Sequence, residues 1–351
     1  MLDEMRRDAL EFLLETEFYE HCLPGLGAVV EAGGQRWERA LGVSDVTTGE
    51  PFRLGDHFRI GSVTKTFTAT AVLQQIDRGR LGFDDTLEPF VPGIPNGERI
   101  TIRHLLNMTS GVPDYADSSD WLPTVEGLTL DTADADWPQQ RKIDVMRSMP
   151  AAFEPGAKAR YHNGHYILLG LVLEQVTGNP AADVINGDVV AAVPSLKHTE
   201  FPSVAKLPDP HPAVYALDPD SRTLRELGDM NPHVLWTAAA MTSTIEDLLM
   251  WVRELADGTL LSADLQRERL AAPRQVDGWR GVHRYGLGVQ RPGALVGHGG
   301  MTPGSSCAVF RYPAEDASVA VVSNGLVNNI VVSQAIALAL MRALYPSYVD
   351  G

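Results

Sequence analysis

Ser62 and Lys65 stand three residues apart, where a short apolar stretch, Phe58-Arg59-Ile60, breaks at Gly61 into a helical pattern. From Ser62 the apolar residues fall at Phe67, Ala69, Val72, Leu73 and Ile76, close to the spacing that gives a helix one buried face. A serine at a helix start lies beside unpaired backbone N–H groups and the positive end of the aligned peptide dipoles, so an anion formed there is stabilised in place. A lysine three residues on shares that part of the helix face, and it can take the hydroxyl proton if burial lowers its pKa. Read alone, the same tetrapeptide also describes an N-cap followed by a solvated lysine. A second copy, Ser203-Val204-Ala205-Lys206, runs into Leu207-Pro208-Asp209-Pro210, where prolines forbid a helix of any length. The catalytic reading of the first copy therefore depends on partners elsewhere.

Two partner motifs stand out. Tyr161-x-Asn163 lies between the Pro155-Gly156 break and an apolar helix pattern, a loop setting suited to projecting side chains into a cleft. A tyrosine beside a lysine ammonium can be driven towards phenolate and act as general base, then as general acid, while an asparagine has a donor and an acceptor with which to orient neighbours. His298-Gly299-Gly300 ends an apolar strand and continues as Met301-Thr302-Pro303-Gly304. Glycines there let an extended chain or acyl group approach the backbone, and a strand N–H paired with that of Ser62 makes a two-donor oxyanion pocket. Each motif has a bland reading too, as a core tyrosine by an Asn-Gly turn and as a turn histidine. There is no Gly-x-Ser-x-Gly elbow, no His-Glu-x-x-His and no phosphate loop. His162 and His165 have helix-face spacing but no third ligand, so neither a metal nor a cofactor is expected.

The elements that must position these groups come from both ends of the chain. An amphipathic helix is expected on the stripe Leu2, Met5, Ala9, Phe12 and Leu13. A hairpin follows, Gly27 to Ala32 and Gln35 to Gly42 around Gly33-Gly34. The C-terminal part offers strands near 285–290, 295–299, 306–311 and 318–323 and a closing helix from Val331 to Tyr345, while Thr244 with Asp247 caps a helix from Ile245. The middle reads as mainly helical. This predicts an α/β (α+β) protein in which residues 1–61 with 236–351 form an antiparallel sheet flanked by helices, and 62–235 form a helical lobe, the two making one catalytic unit.

Within that lobe no lysine or arginine occurs from His104 to Gln140, while Asp114, Asp117, Asp120, Glu126, Asp131, Asp134 and Asp136 accumulate. The insertion 114–140 reads either as a solvated loop or as a lid, with Tyr115, Trp121 and Trp137 closing over a substrate whose positive group the acids attract. A net charge of -16 argues against nucleic acid or an anionic membrane as partner. Hydrophobic content of 44% and charged content of 21% are those of a soluble globular chain. Cys22 and Cys307 read as reduced core thiols. No apolar run follows Arg6-Arg7, so a cytoplasmic location is expected, or a secreted one if a leader was removed.

The ordered set Ser62-x-x-Lys65, Tyr161-x-Asn163 and His298-x-Gly300 resembles the serine beta-lactamase and penicillin-binding-protein superfamily, in its class C beta-lactamase, DD-peptidase and family VIII esterase branch. The stretches Ile102 to Gly111 and Pro155-Gly156 are similar as well, so the resemblance covers about Phe58 to Asn324. It implies the beta-lactamase/transpeptidase-like fold, with a sheet lobe from both termini, an all-helical lobe from the middle, and a site at their junction. It implies Ser62 as the acylated nucleophile, Lys65 and Tyr161 sharing proton transfers, Asn163 orienting, and His298 with Gly299 and Gly300 beside the acyl group. The backbone of Ser62 and Met301 would form the oxyanion hole. Where beta-lactamases of this group carry lysine and threonine, this chain has His298 and Gly299, a poor site for a penicillin carboxylate. The expected function is a serine hydrolase acting on a small ester, amide or D-amino-acid peptide. The rival is an acyltransferase passing the same acyl group to an amine or alcohol; a beta-lactamase, a DD-carboxypeptidase or a non-catalytic binding protein ranks lower. The oligomeric state is not legible.

Overall fold

The computed structural model describes residues 2–119, 137–217, 223–271, 273–277, 284–326 and 331–347. Its centre is a five-stranded antiparallel sheet in the order β2-β1-β11-β10-β9, made of β1 (Gly25–Ala32), β2 (Gln35–Gly42), β9 (Val296–Thr302), β10 (Ser305–Tyr312) and β11 (Ala317–Ser323). The N-terminal hairpin joins the C-terminal strands through β1 and β11, with Leu26 opposite Ser323 and Ala32 opposite Ala317. Strand side chains alternate between faces, so Ala28 and Val30 meet one layer of helices while Val29 meets another. On the first face lie α1 (Glu4–Glu20) and α9 (Val332–Leu344); on the other lies α7 (Ile245–Asp257), whose N-cap Thr244 accepts from the Asp247 N–H. The expected antiparallel sheet with flanking helices is the architecture found.

The first helix turns a different face inward from the one its pattern suggested. Leu10 and Leu14 are fully buried and Leu2 nearly so, whereas Met5 and Phe12 stay about three-quarters exposed at 76% and 75%. Two apolar stripes run along this helix, and the leucine stripe fits between the sheet and α9; sequence periodicity does not say which stripe a neighbour will cover. Cys22 is exposed just beyond the helix end, not a core thiol, while Cys307 is buried.

The middle of the chain supplies α2 (Thr64–Asp77), α3 (Ile102–Leu106), α4 (Gln139–Ser148), α5 (Gly164–Thr177), α6 (Pro232–Ala239) and, after α7, α8 (Ala263–Leu270). Helix α2 is buried along nearly its whole length, with Phe67 stacked on Trp251 of α7 at 3.8 Å between ring centroids. Among the described residues of 62–235 the regular elements are helices apart from β4 (Val214–Leu217) and β5 (Leu224–Leu227), an antiparallel pair whose β4 lies parallel to β12 (Gly325–Leu326). Two short ladders complete the frame: β3 (Phe58–Arg59) with β6 (Thr242–Ser243), and β7 (Arg274–Gln275) with β8 (Arg284–Tyr285).

Candidate active site

Ser62 is placed by backbone geometry before any side chain acts. The β3–β6 ladder delivers the chain to Gly61, which has φ +51 and opens a 3-10 turn, Gly61–Val63, that runs straight into α2. A Cβ on Gly61 would lie 2.4 Å from the Met301 backbone nitrogen, and one on Gly300 would lie 2.0 Å from the Ile60 carbonyl oxygen. Both glycines are needed because the Ser62 turn and edge strand β9 touch backbone to backbone. That contact brings the backbone of Ser62 alongside Gly300 and Met301. From beneath, the buried Cys307 Sγ, on the neighbouring strand, donates to the same Ile60 carbonyl at 3.2 Å.

Lys65 is completely buried one turn into the helix. Its Nζ lies 2.8 Å from Ser62 Oγ, 2.7 Å from Asn163 Oδ1 and 3.0 Å from the Ala238 carbonyl at the end of α6. Burial holds its pKa well below the usual lysine range, against a smaller upward pull from Asp114. The geometry suits a neutral amine. Two carbonyl acceptors take its two N–H groups, and the lone pair is left facing the serine hydroxyl.

Tyr161 completes the cluster. Its hydroxyl hydrogen-bonds with Ser62, and Lys65 Nζ sits 5.0 Å from its ring centroid. Burial pushes the phenol well above the ordinary tyrosine range, with the Ser62 bond pulling the other way. Both shifts favour the uncharged forms, a protonated tyrosine and a lysine amine, over the phenolate and ammonium that the sequence pattern also allows. Asn163 stands at the N-cap of α5 and hydrogen-bonds Tyr115 as well as Lys65.

His298, on β9, is fully buried. Its Nδ1 lies 2.6 Å from the Gly299 carbonyl and its Nε2 lies 3.2 Å from the Tyr285 hydroxyl. Burial and the nearby Lys65 push it down to about 3, so the imidazole is neutral at physiological pH. Gly299 is packed beneath by Gln334, and its N–H donates to Gln290 Oε1 at 3.2 Å.

Tyr115 and Trp137 are buried in the main core, and Trp121 lies outside the described residues. Of the acids, Asp117 pairs with Arg160 at 2.8 Å, while Asp120 and Asp136 lie outside the described residues. Asp114 is the one that reaches the cluster. It is buried, its carboxylate accepts from the Ala116 N–H at 3.1 Å, and dehydration raises its pKa to about 6. His162, 3.8 Å from it, is held near 3 by burial and so presents no cation to it. The sequence singled out neither Asp114, within its acidic run, nor Tyr285, whose only signal is the glycine-rich Tyr285-Gly286-Leu287-Gly288 turn. Among the described residues no group of three or more His, Cys, Asp or Glu side chains is arranged to hold a metal ion, and no helix is long and apolar enough to cross a membrane.

A serine, a buried lysine and a tyrosine in mutual contact beside a glycine-backed edge strand agree with what sequence comparison finds: the model of the Beta-lactamase family matches residues 10–341. The chain belongs to the Beta-lactamase family. Within it, the Penicillin-binding protein 4* of Bacillus subtilis is 26% identical over 89% of this chain and 70% of its own length. The D-aminopeptidase of Brucella anthropi is 27% identical over 86% of this chain, which spans only 56% of that enzyme. A D-stereospecific amidohydrolase from Streptomyces sp. superposes with a TM-score of 0.83 at 27% identity, covering 97% of this chain and 99% of its own. The Beta-lactamase fold is therefore shared from end to end with an amide-cleaving relative.

Proposed function

We propose that this protein is a serine hydrolase that forms an acyl-enzyme on Ser62, and that its substrates are small amides or esters of D-amino acids. The observation that carries the reading is the buried Lys65 Nζ, held by two carbonyl acceptors and 2.8 Å from Ser62 Oγ. Lys65 takes the Ser62 proton as Oγ attacks the substrate carbonyl carbon. The carbonyl oxygen, now negative, is held by the backbone N–H groups of Ser62 and Met301. As the C–N or C–O bond breaks, the leaving group takes a proton from Tyr161, which recovers one from Lys65. Water then attacks the acyl carbon and gives its proton to the same pair, which releases the acid and restores Ser62.

The substrate class is supported by two features. A neutral, buried His298 offers no charge to a substrate carboxylate, whereas Asp114 offers a carboxylate on the Lys65 side for a free ammonium. The two relatives matched over most of this chain at 27% identity are named for D-specific aminopeptidase and amidohydrolase activity. An ordinary small activated ester tests the chemistry. Wild type is expected to give a burst and an intact-mass gain equal to the acyl group, and Ser62→Ala neither; turnover surviving in Ser62→Ala would sink the mechanism. Faster product release on adding an amine acceptor would move the reading to acyl transfer.

A further inference from the structure

His298 reaches the reacting serine only through other residues, and the residue that holds it is Tyr285. The Gly299 carbonyl 2.6 Å from Nδ1 can only accept, so Nδ1 carries the imidazole proton. Nε2 is then a bare acceptor, and the Tyr285 hydroxyl 3.2 Å away supplies its proton. The Tyr285 hydroxyl has a second acceptor within reach, the oxygen of Tyr166 at 3.4 Å, whose own proton goes to the Leu106 carbonyl at 3.2 Å; His298 Nε2 is the nearer of the two acceptors. The Tyr161 ring rests on this pair, edge-on to Tyr285 at 5.6 Å and tilted against His298 at 6.1 Å. Tyr285 and His298 are themselves perpendicular at 5.7 Å. Three buried rings thus form one corner, and Tyr161 is the member that meets Ser62.

We propose that Tyr285 is a positioning residue, whose hydroxyl locks His298 in the Nδ1–H form and so fixes the wall that sets the Tyr161 phenol against Ser62. The inference rests on the serine-hydrolase reading only for its kinetic arm. The charged and titratable groups around His298 are Lys65 of α2, Tyr161 of its loop and Tyr285 of β8, with Tyr166 and the buried Arg269 behind Tyr285; Val309 faces it from β10. A proton on Nε2 beside that on Nδ1 would make a cation of a fully buried ring, and the Tyr285 hydroxyl occupies the site that proton would take.

The test begins with the tautomer in the full-length wild-type protein, read from the imidazole nitrogens by long-range proton–nitrogen NMR, with His298 assigned by its loss in His298→Gln. We expect the proton on Nδ1 and no titration from pH 5 to 9; a proton on Nε2 overturns the proposal whatever the kinetics. Tyr285→Phe keeps the ring and removes the hydroxyl. It is expected to shift the His298 resonances, to lower kcat about tenfold, the scale of one lost buried hydrogen bond, and to leave KM within about twofold. In the double variant with His298→Gln, the Tyr285→Phe loss should disappear. Unchanged resonances, or a kcat loss that adds in full to that of His298→Gln, would overturn the proposal. If Tyr285→Phe does not fold, the wild-type spectrum decides alone. If Ser62 fails to acylate while the tautomer is as expected, the hydrolase reading falls and the positioning of His298 stands.

Discussion

The chain contains the Ser-x-x-Lys tetrapeptide twice, and the structure gives the two copies opposite fates. Lys65 is fully buried, dehydrated and 2.8 Å from Ser62. Lys206 is a surface cation paired with Asp209 at 3.1 Å, its side chain 63% exposed, in a bend where Val204 is also exposed at 61%. Arg59 donates to the Ala205 carbonyl, so the second copy serves to tie a loop to β3. A serine and a lysine at that spacing thus specify nothing by themselves. What makes the first copy chemical is the glycine turn that starts a helix and the packing that strips water from the lysine, because a solvated ammonium has no lone pair to offer.

That contrast can be broken most severely at Lys65. Lys65→Met, which keeps length and burial but removes the amine, should cut kcat by about 10³-fold, within the range general base catalysis supplies. A single-turnover acylation rate within tenfold of wild type would hand the base role to Tyr161. A smaller and selective effect is expected at Asp114. As its carboxyl has a pKa near 6, it is charged above that pH and neutral below, so KM for a D-aminoacyl amide should rise as pH falls through 6. Asp114→Asn should flatten that rise while sparing an ester without an ammonium, and parallel changes on both substrates would remove Asp114 from recognition. The smallest effect belongs to the second copy: Ser203→Ala with Lys206→Ala should leave kcat/KM within about twofold, as expected of an exposed pair. A larger drop would show that the loop contributes to the site.

Legibility followed the range of the interactions. Ser62, Lys65, Tyr161 and Asn163 could be named because each sits at a local break that the sequence marks, a glycine before a helix or an Asn-Gly before the next one. β9, β10 and β11 could be placed because their apolar runs are short and bounded, whereas the expected strand at 285–290 is only the Tyr285 end of β8 and a bridge at Gln290, because Gly286 and Gly288 turn the chain between them. Tyr285 could not be assigned to His298, since nothing local ties a residue in one ladder to the ring of another strand. The buried face of α1 was misread for the same reason, as Leu10 and Leu14 win over Met5 and Phe12 only through α9, at the far end of the chain. Tyr115 and Trp137 looked like a lid because their neighbours are acidic, yet aromatic side chains bury wherever a core will take them.

The contact between Gly61 and β9 also sets a schedule. Ser62 and Lys65 are synthesised early, whereas Gly300 and Met301 arrive near the end, and β1 itself must wait for β11 before it has a second neighbour. Domains form from the N-terminal side as the chain emerges, and contacts this distant in sequence close last. A partly made chain therefore holds a serine and a lysine without the strand that completes their pocket, and reactivity is the final property the polypeptide acquires.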